Sequence, residues 1–219
     1  MKKINIAIDG LSATGKGETT KYLAKQLNYK LLDSGAMYRG VTWDLKKKNI
    51  KPEDVTELDL GSIHIEFGEN GHLYVNGEDV EHNIRTENIS KLTPQYAKQK
   101  IIRYYINKEL KELVKERGYI AEGRDIANNI MPDAEIKLFL VGDSEIRAKR
   151  RQEQLKKKGI LENVETIKID LESRDHADMN RDIAPLVKHR EAIEIDTTQI
   201  SMDEQNEFIH SIIQKYLGK

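Results

Sequence analysis

Residues 4–9, INIAID, alternate Ile4, Ile6 and Ile8 with smaller residues and run directly into Gly10-Leu11-Ser12-Ala13-Thr14-Gly15-Lys16. Residues 18–27 then space Tyr22, Leu23 and Leu27 as a helix does. No other stretch restricts the fold as much, because a buried strand, a glycine turn and a helix in that order open a parallel α/β sheet. The turn reads G-x-x-x-x-G-K. Its glycines let the backbone wrap a small anion, its amides point inward, and the helix dipole favours negative charge. Lys16 adds a mobile cation for outer phosphates. Gly17 follows, where many such loops place the Ser or Thr that holds magnesium, and Glu18 comes next. A carboxylate suits a helix N-terminus but repels a triphosphate. It either faces solvent or helps to hold magnesium, with Thr19 or Thr20 in the hydroxyl role.

The alternation continues along the chain. Residues 30–33 read as a second strand and 35–48 as a helix, with Asn49 and Pro52 as stop signals. Residues 61–80 change character: SIHIEF alternates, GENG is a turn, HLYV alternates again, and Asn76-Gly77 marks another turn. A small β-hairpin insert is expected there. Residues 83–118 are helical in pattern, with Ile102, Ile106, Leu110 and Val114 at four-residue steps and Gly118 at the end. Strands are expected at 119–121, 135–141 and 192–196, and helices at 143–158 and 161–179. Ser201 and Glu204 form a capping box for the last helix.

Composition narrows the function classes. The 219 residues suffice for one large core, and 36 Lys+Arg against 37 Asp+Glu exclude a globally basic nucleic-acid binder. With no cysteine, disulfides, thiolate zinc sites and cysteine nucleophiles are excluded. The six histidines show no metal spacing. No apolar run reaches the ~18 residues of a membrane span, and the run after Met1-Lys2-Lys3 is too short for a secretory signal. A cytoplasmic location is therefore expected, and Trp43 is expected to be a core or hinge aromatic.

Three further motifs follow the glycine turn. LLDSGAMYR (31–39) places Asp33 and Ser34 at a strand end, with Tyr38 and Arg39 on the next helix. EGRD (122–125) follows a strand, where ligands gather in parallel sheets. RDHADMNRDIAPL (174–186) puts Arg174, Asp178 and Arg181 on one helical face. Each alone reads as surface ion pairing; together, downstream of a phosphate loop, they read as a functional site.

With GEDV…IRTE (77–87), Arg103, PDAEIKLFL and the late IDTT (195–198), these residues resemble the bacterial cytidylate kinase family over nearly the whole chain. Gly17 after the lysine is also typical of nucleoside monophosphate kinases, although Glu18 stands where they usually carry Thr. The resemblance implies an α/β fold of P-loop NTPase type: a parallel five-stranded sheet flanked by helices, a small β-containing NMP-binding insert and a short lid. One kinase domain would comprise a core (about 1–34, 119–146 and 182–219), an NMP-binding part (about 35–118) and a lid (about 147–181). The implied reaction is ATP-dependent phosphorylation of CMP and dCMP with Mg2+, by a monomer without nucleic-acid or membrane partners.

The resemblance also distributes roles. ATP would be held by Gly10, Leu11, Ser12, Ala13, Thr14, Gly15, Lys16, Gly17, Glu18 and Thr19. The catalytic set would be Lys16, Arg147, Arg151 and Arg181, and the substrate set Ser34, Arg39, Arg103, Arg124, Asp125, Arg174, Asp178 and Arg181. No residue is assigned as a metal ligand. Arg39, Arg124 and Arg181 would hold the CMP phosphate, Asp178 and Arg174 would approach the ribose, and Asp125 would address cytosine. Arg147 and Arg151, one turn apart, are expected to point together into the cleft; Arg150 reads equally as a solvated basic residue. The chain departs from the family at Glu18, at Pro94 (where a Ser touches the base, leaving Thr93 as a substitute), at Ala177 and Met179 (often Arg), and at Ala13, which suits the loop if its φ is negative. A kinase for another acceptor (UMP or a small metabolite) and a low-turnover nucleotide-binding module are the alternatives.

Overall fold

The computed structural model describes residues 3–68, 71–157 and 159–218. The chain opens with β1 (Ile6–Gly10), α1 (Lys16–Leu27), β2 (Lys30–Leu32) and α2 (Ser34–Lys47). It continues through α3 (Glu57–Gly61), β3 (Ile65–Phe67), β4 (Leu73–Val75), β5 (Glu78–Asp79), α4 (Glu81–Ile84), α5 (Glu87–Ala97) and α6 (Lys100–Leu113). Then follow β6 (Tyr119–Gly123), β7 (Ile136–Val141), α7 (Ser144–Lys157), α8 (Val164–Asn180), β8 (Ile193–Asp196) and α9 (Met202–Tyr216). Two compact units result: Met1–Leu32 with Arg117–Lys219, and Asp33–Glu116.

The first unit is built on a five-stranded sheet in the order β2-β6-β1-β7-β8, with every pairing parallel. β1 is the central strand, and Ile6, Ala7 and Ile8 are wholly buried. A parallel strand covered on both faces needs apolar residues at successive positions. Leu23 of α1 and Ile209 and Ile213 of α9 complete this core with Ile120, Leu138 and Leu140. Asp9 stands opposite Gly123 and Phe139 in the register, so the β1 and β6 motifs emerge together at the carboxyl end of the sheet, where ligands bind in such sheets. α7 and α8 pack through Ala148, Ile167 and Leu171, and Ala13 of the glycine turn rests on this cluster. No helix among the described residues is long and apolar enough to cross a membrane.

The second unit holds a three-stranded antiparallel sheet, β3-β4-β5, rather than the expected two-stranded hairpin. Asn76 and Gly77 both have positive φ (51° and 79°), which matches the two-residue turn that joins tightly twisted strands. The third strand was hidden because its two residues, Glu78 and Asp79, are exposed and acidic. Of the GENG turn, Glu69 and Asn70 lie outside the described residues. Gly40 of α2 touches β4 so closely that a Cβ there would lie 2.5 Å from the Leu73 side chain. Asp33 caps α2 by accepting from the Ala36 amide at 2.8 Å.

Candidate active site

The glycine turn is held by what lies behind it. Gly10 has φ 141°, and a Cβ there would sit 2.1 Å from the Leu140 carbonyl oxygen, so only glycine passes β7. Ala13 has φ 58°, so the condition of a negative φ is not met. A left-handed alanine costs about 1–2 kcal/mol, and its packing on the α7–α8 cluster offsets this. Lys16 Nζ donates to the Gly10 and Leu11 carbonyls at 3.0 and 2.6 Å. Arg147 donates to the Ser12 carbonyl at 2.9 Å, and Asp175 accepts from the Ser12 amide at 2.8 Å. Gln205 donates to the Thr14 carbonyl at 3.1 Å. The carbonyls of Gly10, Leu11, Ser12 and Thr14 are thus engaged by side chains, while the amides of Ala13, Gly15, Lys16 and Gly17 meet no acceptor among the described residues.

A cavity of about 350 Å³ opens in front of the turn, lined by its residues Ser12 to Glu18 and by Glu122, Arg124, Arg151, Gln154, Leu171 and Arg174. Lys16, Arg124, Arg151 and Arg174 face Glu18 and Glu122 around it, an excess of positive charge suited to a polyanion. Burial pushes the Lys16 ammonium down to about 7, helped by the Arg124 charge and opposed by Glu122, Asp9 and Asp175. Burial also pushes the Asp9 carboxyl up to about 6, against hydrogen bonds from the Ala127 and Ile126 amides. A second cavity, of about 760 Å³, shares Ala13, Gly15 and Glu18 and reaches Met202 and Asn206 of α9.

Beside the first cavity the late motifs form one charge network. Arg124 donates to Asp178 at 2.6 Å and to the Ser12 hydroxyl at 3.0 Å. Arg181 stands 3.7 Å from Asp178 and 3.6 Å from Asp125, and it donates to the Ala184 carbonyl at 2.6 Å. Asp125 also accepts from Asn129 at 3.1 Å. EGRD and the 174–186 segment, which are about fifty positions apart in the chain, therefore meet at the end of β6 and tie to the phosphate loop through Ser12.

Residues 6–216 match the cytidylate kinase family. A cytidylate kinase of Thermosipho melanesiensis is 40% identical over 210 residues, 96% of each chain. One of Bacillus cytotoxicus is 37% identical over 223 residues, covering 100% of this chain and 99% of its own. The chain belongs to the cytidylate kinase family. Among solved structures, a shikimate kinase from Bacteroides thetaiotaomicron overlays all of both chains with a TM-score of 0.50 at 13% identity. That likeness concerns the fold alone.

Family membership focuses attention on where each expected residue lies. Arg147 and Arg151 do not point together. The Arg147 side chain is 5% exposed and is spent on Asp175 (2.5 Å), Ser12 and the Gly142 carbonyl, whereas Arg151 is exposed and lines the cavity. Arg150 is not a solvated residue, since it donates to the Thr197 and Ile200 carbonyls at 2.6 and 2.7 Å. Thr19 is wholly buried and its hydroxyl accepts from Gln205 at 2.9 Å, while Thr20 donates to the Gly17 carbonyl at 3.0 Å. Neither hydroxyl faces the cavity.

The magnesium expected with ATP must then find other oxygens. Glu18 and Glu122 both line the cavity, and magnesium is commonly held by one or two carboxylates plus substrate phosphates. The donor set fits, with these two residues in place of the loop hydroxyl. Among the described residues no cluster of three or more His, Cys, Asp or Glu could hold an ion by itself.

The second unit carries Ser34, Arg39 and Arg103. Ser34 is the first residue of α2. Arg39 and Arg85 converge on the Asp33 carboxylate at 3.4 and 3.0 Å, and the buried Arg39 Nε has no partner. Arg103 lies over the Tyr38 ring at 5.7 Å. Thr93 donates to the Ile89 carbonyl at 2.7 Å, leaving only its lone pairs to substitute for the serine that Pro94 replaces. Sequence reading passed over Asp9, Arg85, Asp175 and Gln205. A charged or polar residue on an otherwise apolar face, as at Asp9 and Gln205, was the available signal.

Proposed function

We propose that this enzyme transfers the terminal phosphoryl group of ATP to CMP and dCMP, giving ADP with CDP or dCDP. Family membership over residues 6–216 carries the reading, and the Arg124–Asp178–Arg181–Asp125 network supports it. The ATP phosphates are assigned to the glycine turn and its free amides, and the nucleoside to the larger cavity by Met202 and Asn206. Mg2+ bound with ATP supplies neutralisation of phosphate charge.

The acceptor needs no general base. The second pKa of a phosphate monoester is about 6, so CMP is a dianionic nucleophile near neutral pH. What opposes reaction is repulsion between two anions that must be held in line, and catalysis then consists of positioning and charge neutralisation. Arg124 and Arg181 are assigned to the acceptor phosphate, and so are Arg39 and Arg103 of the second unit. Guanidinium suits the task because its planar fork binds two oxygens at once. Arg174 and Asp178 are assigned to the ribose. Arg151 follows the transferring group, and Lys16 the outer donor phosphates. The protein is proposed to act as a monomer in the cytoplasm.

Asp125 is assigned to base selection. Cytosine presents an amine donor where uracil presents a carbonyl, and a carboxylate accepts only from the former. A coupled assay of ADP release with CMP, dCMP, UMP and AMP tests the whole reading: turnover is expected with the cytidine nucleotides, and its absence with all four refutes it. Asp125→Asn is expected to narrow the CMP/UMP ratio of kcat/KM by at least about tenfold. An unchanged ratio removes the base-selecting role.

A further inference from the structure

Gln205 sits on α9 with no exposed surface, and its amide nitrogen reaches two loop-side acceptors. Nε2 donates to the Thr14 carbonyl at 3.1 Å and to the Thr19 hydroxyl at 2.9 Å. A carbonyl can only accept, so the first contact fixes which end of the amide is the nitrogen. The other end, Oε1, is buried with no partner. An apolar side chain would fill this place in the α1–α9 interface without leaving a buried oxygen unpaired. The amide is therefore poorly explained by packing alone.

Its effect on the loop follows from peptide geometry. The Thr14–Gly15 peptide is planar and trans, so its carbonyl and its N–H point in opposite directions. Drawing the Thr14 carbonyl toward α9 turns the Gly15 amide the other way. Gly15 lines the cavity in front of the turn, and its amide meets no acceptor among the described residues. Gly15 has φ 86°, and it packs so closely on α9 that a Cβ there would lie 2.6 Å from the Met202 sulfur and 3.0 Å from Gln205 Nε2, so α9 sets the position of this part of the loop.

We propose that Gln205 is a positioning residue for the donor phosphates: it pins the Thr14 carbonyl behind the loop and thereby presents the Gly15 amide to the polyphosphate. The proposal rests on the assignment of the glycine turn to ATP. Gln205 acts through the loop and touches no reacting atom. Its contribution is to donor affinity, not to the acceptor.

The test compares the wild type with Gln205→Met, with the double variant Gln205→Met/Thr19→Val, and with Lys16→Met. MgATP and CMP affinities are measured separately by calorimetry, and melting points are recorded. Gln205→Met is expected to weaken MgATP binding about five- to tenfold, less than the roughly 10- to 150-fold of a charged hydrogen bond lost outright because the Gly15 amide is misaimed and not removed, with CMP binding unchanged. The double variant replaces the amide and the Thr19 hydroxyl by apolar groups of similar shape and leaves only the Thr14 carbonyl without its donor, so its melting point recovers in part while the MgATP defect persists. Should Gln205→Met alone fail to fold, the double variant carries the measurement. MgATP affinity within twofold of wild type in the double variant overturns the proposal, as does affinity that follows the melting point across the series. If Lys16→Met also keeps full MgATP affinity, it is the donor assignment of the loop that fails. If Lys16→Met loses it while the double variant does not, Gln205 alone is refuted.

Discussion

Replacing Arg147 by methionine separates a structural guanidinium from Arg151, the one proposed to act in catalysis. Arg147 and Asp175 are a buried pair, with side chains 5% and 7% exposed and a contact of 2.5 Å. Arg147 also donates to the Ser12 and Gly142 carbonyls, both at 2.9 Å. Methionine keeps much of the volume but leaves Asp175 charged in a dry site with only the Ser12 amide beside it. Breaking a buried pair from one side costs about 3–5 kcal/mol. At about 2–4 °C per kcal/mol for a chain of this size, the melting point should fall by roughly 6–20 °C. Arg147→Met/Asp175→Asn should recover part of that loss, because the stranded charge is removed. Arg151→Met, on an exposed side chain, should melt within about 1 °C of wild type while kcat drops roughly 10²-fold. Calorimetric melting and coupled steady-state kinetics on the same preparations decide the matter. An Arg147→Met protein that melts like the wild type but has lost kcat as Arg151→Met does would refute the structural role argued for Arg147.

Three further outcomes follow from the charges around the loop. Burial lowers the Lys16 ammonium to about 7, so MgATP affinity should weaken as pH rises from 6 to 9. Binding at pH 8 should draw in protons, visible as buffer-dependent calorimetric heats, and Lys16→Arg should flatten the pH profile because guanidinium stays charged. Asp9 is raised to about 6 from 3.8, so between those values the folded chain binds more protons than the unfolded one and stability falls as pH climbs. Urea midpoints should show wild type losing stability relative to Asp9→Asn between pH 4.5 and 6.5; parallel behaviour would contradict the raised value. Asp178→Asn removes the charge that Arg124 and Arg181 share, 2.6 and 3.7 Å away. It should raise KM for CMP about tenfold and KM for ATP less, which substrate-saturation curves at fixed co-substrate would reveal.

The strands and long helices were legible because burial on both faces of a parallel sheet leaves apolar runs such as IAIDG and IKLFLV. The Ser201–Glu204 capping box was legible for the same local reason and is present. β5 was not, because two exposed residues carry no periodicity and exist as a strand only through Tyr74 and Val75 opposite them. That Lys16 and Arg124 line one cavity, and that Arg124, Asp178 and Arg181 share one charge network, could be read because each belongs to a short spaced motif. The direction of Arg147 could not. Helical spacing puts Arg147 and Arg151 one turn apart, but Asp175 on α8 decides which of them turns inward, and that partner lies 28 positions away. The positive φ of Ala13 could not be read either, and the α7–α8 cluster it packs against comes from more than 130 positions along the chain.

The glycine turn shows why a motif string is necessary but insufficient here. Its amides can serve an anion only if its carbonyls are occupied elsewhere, since a planar peptide cannot turn both ways. Those occupants come from far along the chain: Arg147 lies 135 positions beyond Ser12 and Gln205 191 beyond Thr14, while Asp175, 163 positions beyond Ser12, holds that residue's amide. Locally, Lys16 holds the Gly10 and Leu11 carbonyls, and the Thr14 hydroxyl also donates to the Leu11 carbonyl at 3.0 Å. A ligand that draws the Lys16 ammonium toward its phosphates removes the lysine's part of that local support. The tethers from α7, α8 and α9 then keep Ser12 and Thr14 in place while the lysine is engaged. On the proposed assignment of this loop to ATP, the far third of the chain is what readies it as a phosphate cradle, and substitutions there should act on donor affinity from outside the cavity.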